Sequence, residues 1–126
     1  EMVHVCGLTR PPVFQPILGD YIQGMETTIM LQNDTLPGCP TAYNIYNVLD
    51  AYYENLPFVT VAPYGGDETV IYSSTLVGTN NLRLTVCGNE NQTTITAVFD
   101  NLGKGASGAA VQNMNRMLGF PETAGL

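Results

Sequence analysis

The sequence predicts an α+β domain with a mixed, largely antiparallel sheet covered by helices on one face. Three observations carry that prediction. Apolar and polar residues alternate with period two over residues 25–32, 82–88 and 92–100. The period changes to three- and four-residue steps over residues 41–54 and 106–118. The elements follow one another as strands and helices without a regular β-α-β alternation.

Residues 8–20, "LTRPPVFQPILGD", carry Pro11, Pro12 and Pro16. The prolines favour an extended entry, and "VFQPIL" is expected as an edge or irregular strand. In "METTIMLQ", Met25, Thr27, Ile29 and Leu31 fall on one face and Glu26, Thr28, Met30 and Gln32 on the other, a strand rich in β-branched residues. The turn residues of "NDTLPG" end it. A helix over 41–54 follows, with Thr41 or Cys39 at its N-terminal boundary, Pro40 in the first turn and Asn55-Leu56-Pro57 as the stop. "FVTVA" (58–62) reads as a short strand ended by Pro63. Residues 64–81 are loop-like, with a brief strand at 70–72. "LRLTVCG" and "QTTITAVFD", joined by turn residues, read as an antiparallel hairpin. In the last helix Ala106, Ala110, Met114, Met117 and Leu118 share a face, and Gly119 fits a C-terminal cap.

At 126 residues and 44% hydrophobic, the chain can bury one modest core. Its net charge of -7 repels phosphate backbones, which argues against nucleic-acid binding. No apolar run approaches the ~20 residues that span a bilayer. The three cysteines, Cys6, Cys39 and Cys87, form no C-x-x-C pair, and His4 is the only histidine, so no metal site is expected. Reduced thiols fit a cytoplasmic protein. The sequons at Asn33 and Asn91 are short patterns that arise by chance. His4 reads as a surface or satisfied core histidine. "GKGASG" (103–108) lacks the upstream glycine and the Ser/Thr after lysine that a phosphate loop needs.

The most specific stretch is "FDNLGKGASGAAVQNMNRMLGFPETAGL", residues 99–126. It resembles the C-terminal signature of the N-acetyl-gamma-glutamyl-phosphate reductases, close to D-N-L-x-K-G-A-x-G-x-A-x-Q-N-x-N-x-x-x-G-x-x-E-T-x-G-L. Every fixed position of that pattern is kept, from Asp100, Asn101, Leu102, Lys104, Gly105 and Ala106 to Leu126. "FQPILGDYIQGM", "AYYENLPFVTV" and "VGTNNLRLTV" are similar to further family segments, so the resemblance covers essentially the whole chain.

The resemblance implies an NADP-dependent oxidoreductase of arginine biosynthesis that reduces N-acetylglutamyl 5-phosphate to N-acetylglutamate 5-semialdehyde. It implies that residues 1–126 are the C-terminal part of the catalytic and dimerisation domain, with the glycine-rich nucleotide domain absent from this chain. The family's catalytic cysteine and histidine motifs are expected upstream, with Glu1-Met2 as the tail of the histidine motif. No catalytic residue is then expected here, and Cys39, in Pro-Gly-Cys-Pro-Thr, reads as a loop residue before a helix. Asn101, at the start of the last helix, is implied to lie near the nicotinamide amide. Lys104 and the N–H groups around Gly105 suit a phosphate or carboxylate at a helix N-terminus. The alternative for Asn101 is a helix cap. The expected partner is a second copy of the chain, in a homodimer or homotetramer. The alternatives are a stand-alone dimerisation or regulatory domain and a fragment of an aspartate-semialdehyde dehydrogenase.

Overall fold

The computed structural model describes residues 2–67 and 70–126; Glu1, read above as part of the histidine motif, lies outside the described residues. Among the described residues three α-helices, α1 (Met2–Cys6), α2 (Ala42–Tyr53) and α3 (Gly108–Leu118), accompany four strands. The strands are β1 (Met25–Gln32), β2 (Val59–Val61), β3 (Leu82–Gly88) and β4 (Gln92–Phe99), in the sheet order β1-β4-β3-β2. β4 is antiparallel to both β1 and β3, and β2 is parallel to β3. The expected mixed, largely antiparallel sheet is what forms.

Because side chains alternate across a strand, residues in register share a face. Leu84 faces Ala97, Val86 faces Ile95 and Gly88 faces Thr93. Val59 and Val61 join that face opposite Leu82 and Leu84. α2 lies over it, with the Ala42 N–H donating to Asn89 O at 3.0 Å at the hairpin end. The buried apolar core is small: Ala42, Phe58, Ala62, Leu84, Val86 and Val98. Each larger side chain there contributes roughly 1.5–3 kcal/mol. Among the described residues as many polar side chains are buried, namely Asn33, Asn80, Thr93, Thr96, Asp100 and Asn115. Hydrogen bonding therefore carries much of the specificity of this fold.

α2 is capped by Thr41 in a reciprocal box. Its Oγ1 accepts from Asn44 N–H at 3.2 Å, while Asn44 Oδ1 accepts the Thr41 N–H at 3.0 Å. Of the two predicted boundaries Thr41 is the cap, and Pro40 precedes it instead of entering the first turn. Cys39 sits exposed in the preceding turn at φ 46°, its N–H donating to Leu36 O.

Three local expectations are corrected. Residues 13–18 form no strand, since Pro11, Pro12 and Pro16 cannot donate to a ladder and Val13 and Leu18 stand almost wholly in solvent. Residues 70–72 also form no strand. The apolar stripe of α3 does not face the sheet: Met114, Met117 and Leu118 are exposed. α3 is held from its polar side, where Asn115 Nδ2 donates to Glu122 O and Ala124 O. The short α1 has no apolar periodicity long enough to mark it in the sequence.

The hairpin turn is held by Asn33, which follows β1. Its Nδ2 donates to Asn89 O and Glu90 O at 3.1 Å, and its Oδ1 accepts from Thr93 Oγ1 at 2.8 Å. With the Asn33 amide 1% exposed and fully engaged, this sequon is closed to an oligosaccharide. The second sequon loses its hydroxyl in the same way, because Thr93 is 1% exposed and already bonded.

Candidate functional site

The end of β4 runs straight into Asp100 and Asn101, and three segments distant in sequence meet there. Asp100 is 2% exposed. Its Oδ2 accepts from Gly78 N–H at 2.7 Å and from Gln23 Nε2 at 2.9 Å, and its Oδ1 accepts from Leu102 N–H at 2.9 Å. The Gly78 N–H, then that of Leu102, hold the carboxyl below its ordinary value of 3.8, against the opposing effect of its own burial. The Gly103 N–H and Gln23 act in the same lowering direction.

The sign of the resulting pH dependence follows. Folded Asp100 keeps its charge to lower pH than the unfolded chain does, so the unfolded state binds more protons between the two values. The stability it contributes is complete above about pH 4 and is lost as pH falls through the folded value. Urea unfolding followed down from neutral pH should show a midpoint that declines in that acid window. Asp100→Asn should flatten this part of the profile while lowering the plateau.

Asn101 is half-buried, and its Oδ1 accepts the Gly24 N–H at 2.8 Å. It does not cap the last helix. The residue at the cap position is Leu102, which makes no side-chain cap bond. With Oδ1 engaged and Nδ2 donating to no described residue, the amide keeps both of its N–H donors, the kind of group from which a carboxamide oxygen accepts.

The last helix begins with a π-helical turn, Gly103–Ser107, before α3. Gly105 N–H donates to Asp100 O at 2.8 Å and Ser107 N–H to Leu102 O at 3.3 Å, both five residues back. Such turns recur at functional sites. A Cβ on Gly105 would lie 3.1 Å from the Phe99 ring, so the turn seats on the helix-bearing side of the sheet. Lys104 points inward as well. Its Nζ donates to Gln112 Oε1 and lies 5.4 Å from the centre of the Phe58 ring. Burial pushes its pKa below 10.5, with Glu122 acting the other way. Gln112 also accepts from Asn80 Nδ2 and donates to Glu122. Lys104 and Gly105 thus share the turn that follows Asn101; among the described residues Lys104 Nζ and the Gly105 N–H each have a hydrogen-bond partner, and Asn101 Nδ2 has none.

The sequence marks Asp100 as the first residue of the signature without giving it a role, and it marks neither Gln23 nor Gly78. Among the described residues no group of histidine, cysteine and acidic side chains could hold a metal ion, and all three cysteines are free and exposed. Among the same residues no helix is long and apolar enough to cross a membrane.

A family model described as the semialdehyde dehydrogenase dimerisation domain matches residues 1–101. Among curated proteins, N-acetyl-gamma-glutamyl-phosphate reductase 2 of Nostoc sp. is 44% identical over 100% of this chain, which covers 41% of that protein. The N-acetyl-gamma-glutamyl-phosphate reductase of Trichormus variabilis is 42% identical with the same coverage. That of Pseudomonas putida, also named as reductase 2, is 41% identical over 99% of the chain and 41% of its own length. The chain therefore spans well under half the length of these relatives.

Proposed function

This chain belongs to the semialdehyde dehydrogenase dimerisation-domain family, and we propose that it is the self-pairing domain of an NADP-dependent reductase of arginine biosynthesis. The reaction is reduction of N-acetylglutamyl 5-phosphate to N-acetylglutamate 5-semialdehyde, in the cytoplasm. The relatives' shared name and their identity along the whole chain support this reading. Free, exposed cysteines agree with a reducing compartment.

Within that enzyme the chain has two tasks. The first is pairing with a second copy, as a homodimer or as the pair within a homotetramer. β1 supports this, because it is an edge strand with apolar side chains exposed on both faces: Met25 and Ile29 on one, Met30 on the other. β1 carries a single charge, that of Glu26, and exposed apolar edge strands associate unless covered.

The second task is to supply part of the wall of the cofactor site. NADP supplies the hydride chemistry when bound, mainly to the enzyme's other domain. Asn101 Nδ2 is the donor that this chain offers to the nicotinamide carboxamide. Lys104 and Gly105 complete the wall, one by filling the space under the turn and the other by admitting close approach. The single observation carrying this assignment is the amide of Asn101, fixed through Oδ1 with Nδ2 donating to no described residue.

The test is Asn101→Ala in the full reductase. Losing the contact leaves the nicotinamide free to tilt, and small errors in position cost on the order of a hundredfold in rate. The expected result is a fall in kcat of that order with little change in melting temperature. A lowered melting temperature with kcat and the KM for NADPH both unchanged would reject the cofactor role.

A further inference from the structure

We propose that Asp100 is the positioning residue of this site: its buried carboxylate ties the Gln23 arm, the Gly78 loop and the Leu102 turn together so that Asn101 presents Nδ2 in one orientation. The proposal rests on the cofactor role assigned to Asn101.

The geometry comes from three separate stretches of chain. Gln23 and Gly78 both donate to Oδ2, at 2.9 and 2.7 Å, from positions 77 and 22 residues away. Leu102 N–H, on the far side of Asn101, donates to Oδ1 at 2.9 Å. The residue after Gln23 is Gly24, whose N–H holds Asn101 Oδ1 at 2.8 Å. The arm that orients the Asn101 amide is therefore itself held by Asp100. The loop closes the arrangement from behind, since a Cβ on Gly24 would lie 2.5 Å from Ser73 O. Arm and loop touch at the residue that grips Asn101. Three peptide or amide donors converge on one carboxylate next to a side chain with an unengaged donor. A buried charge satisfied this fully fixes its neighbours more tightly than a neutral group could.

A residue that only stabilises the fold would lower the amount of folded enzyme and leave each folded molecule unchanged. A positioning residue changes the folded molecule. The experiment uses the full reductase in four forms: wild type, Asp100→Asn, Asn101→Ala and the double variant, with rates normalised to folded protein. Without cofactor, the Asn101 side-chain amide resonance and the exchange rates of the Gly24 and Gly78 N–H groups are read by NMR. In Asp100→Asn the amide resonance should shift and both N–H groups should exchange faster. With saturating NADPH, kcat should fall on the order of ten- to a hundredfold, with the KM for NADPH changed far less. The double variant should be no slower than Asn101→Ala, because Asp100 acts through that side chain.

Multiplicative losses in the double variant, or an Asn101 resonance and kcat unchanged by Asp100→Asn, would overturn the proposal while leaving the cofactor role standing. A silent Asn101→Ala would remove the cofactor role and the proposal with it. If Asp100→Asn does not fold, Gln23→Leu takes its place. It deletes one donor to Oδ2 and should shift the same resonance and lower kcat severalfold; no shift and no loss would overturn the proposal.

Discussion

Replacing Gly88 by alanine should destabilise the domain by about 3 kcal/mol or more. Gly88 ends β3 at φ 145°, in backbone space that L-residues rarely occupy. A Cβ there would lie 2.2 Å from Gln92 O and 2.9 Å from Thr93 Cα, both backbone atoms of the opposing strand. It would also meet Ala42 Cβ at 3.1 Å, where α2 docks. No side-chain rotation relieves these contacts, so the hairpin must open or α2 must lift. Chemical denaturation read by circular dichroism should show a large drop in midpoint. A midpoint within experimental error of the wild type would mean that α2 does not seat on the hairpin as described.

Asn33→Ala should cost a similar amount, about 3 kcal/mol. The side chain is 1% exposed and makes three hydrogen bonds to the hairpin. Its loss leaves the Asn89 and Glu90 carbonyls without that donor and the Thr93 hydroxyl without its acceptor. Asn33→Asp separates polarity from fit. It keeps the acceptor for Thr93 but points a carboxylate at two carbonyls, so it should be as harmful at neutral pH and milder in acid, where the carboxyl can donate. Equal stability of Asn33→Asp and wild type at neutral pH would contradict the hydrogen-bond assignment.

The parts of this fold that were legible in the sequence are those set by local pattern. Alternation over β1, β3 and β4 marks the strands and assigns their faces, because successive side chains of a strand point to opposite sides. The start of α2 is legible as Thr41 or Cys39, and the reciprocal bonds between Thr41 and Asn44 decide for Thr41. The misreadings have physical causes of two kinds. Over residues 13–18 apolar content outweighed the missing N–H groups of three prolines. In α3 the apolar stripe suggests a buried face, but Gln112, through Asn80, ties the opposite side to the rest of the fold. At the candidate site, the signature located Asn101 and its turn, and nothing local could supply the rest. Gln23 and Gly78 reach Asp100 only through the folded topology. The π-helical turn packs Gly105 against the Phe99 ring at the end of β4, a contact that local pattern does not reveal.

Self-pairing of this chain through its sheet is tested most directly by sedimentation equilibrium. β1 leaves Ile29 53% and Met30 79% exposed on opposite faces, apolar surface that a second copy would cover. The chain should sediment as a dimer or larger assembly at high micromolar concentration. Ile29→Lys with Met30→Lys should shift it to monomer without loss of secondary structure, since neither side chain is buried. A wild-type chain that remains monomeric throughout that range, with the doubly substituted chain indistinguishable from it, would contradict the claim.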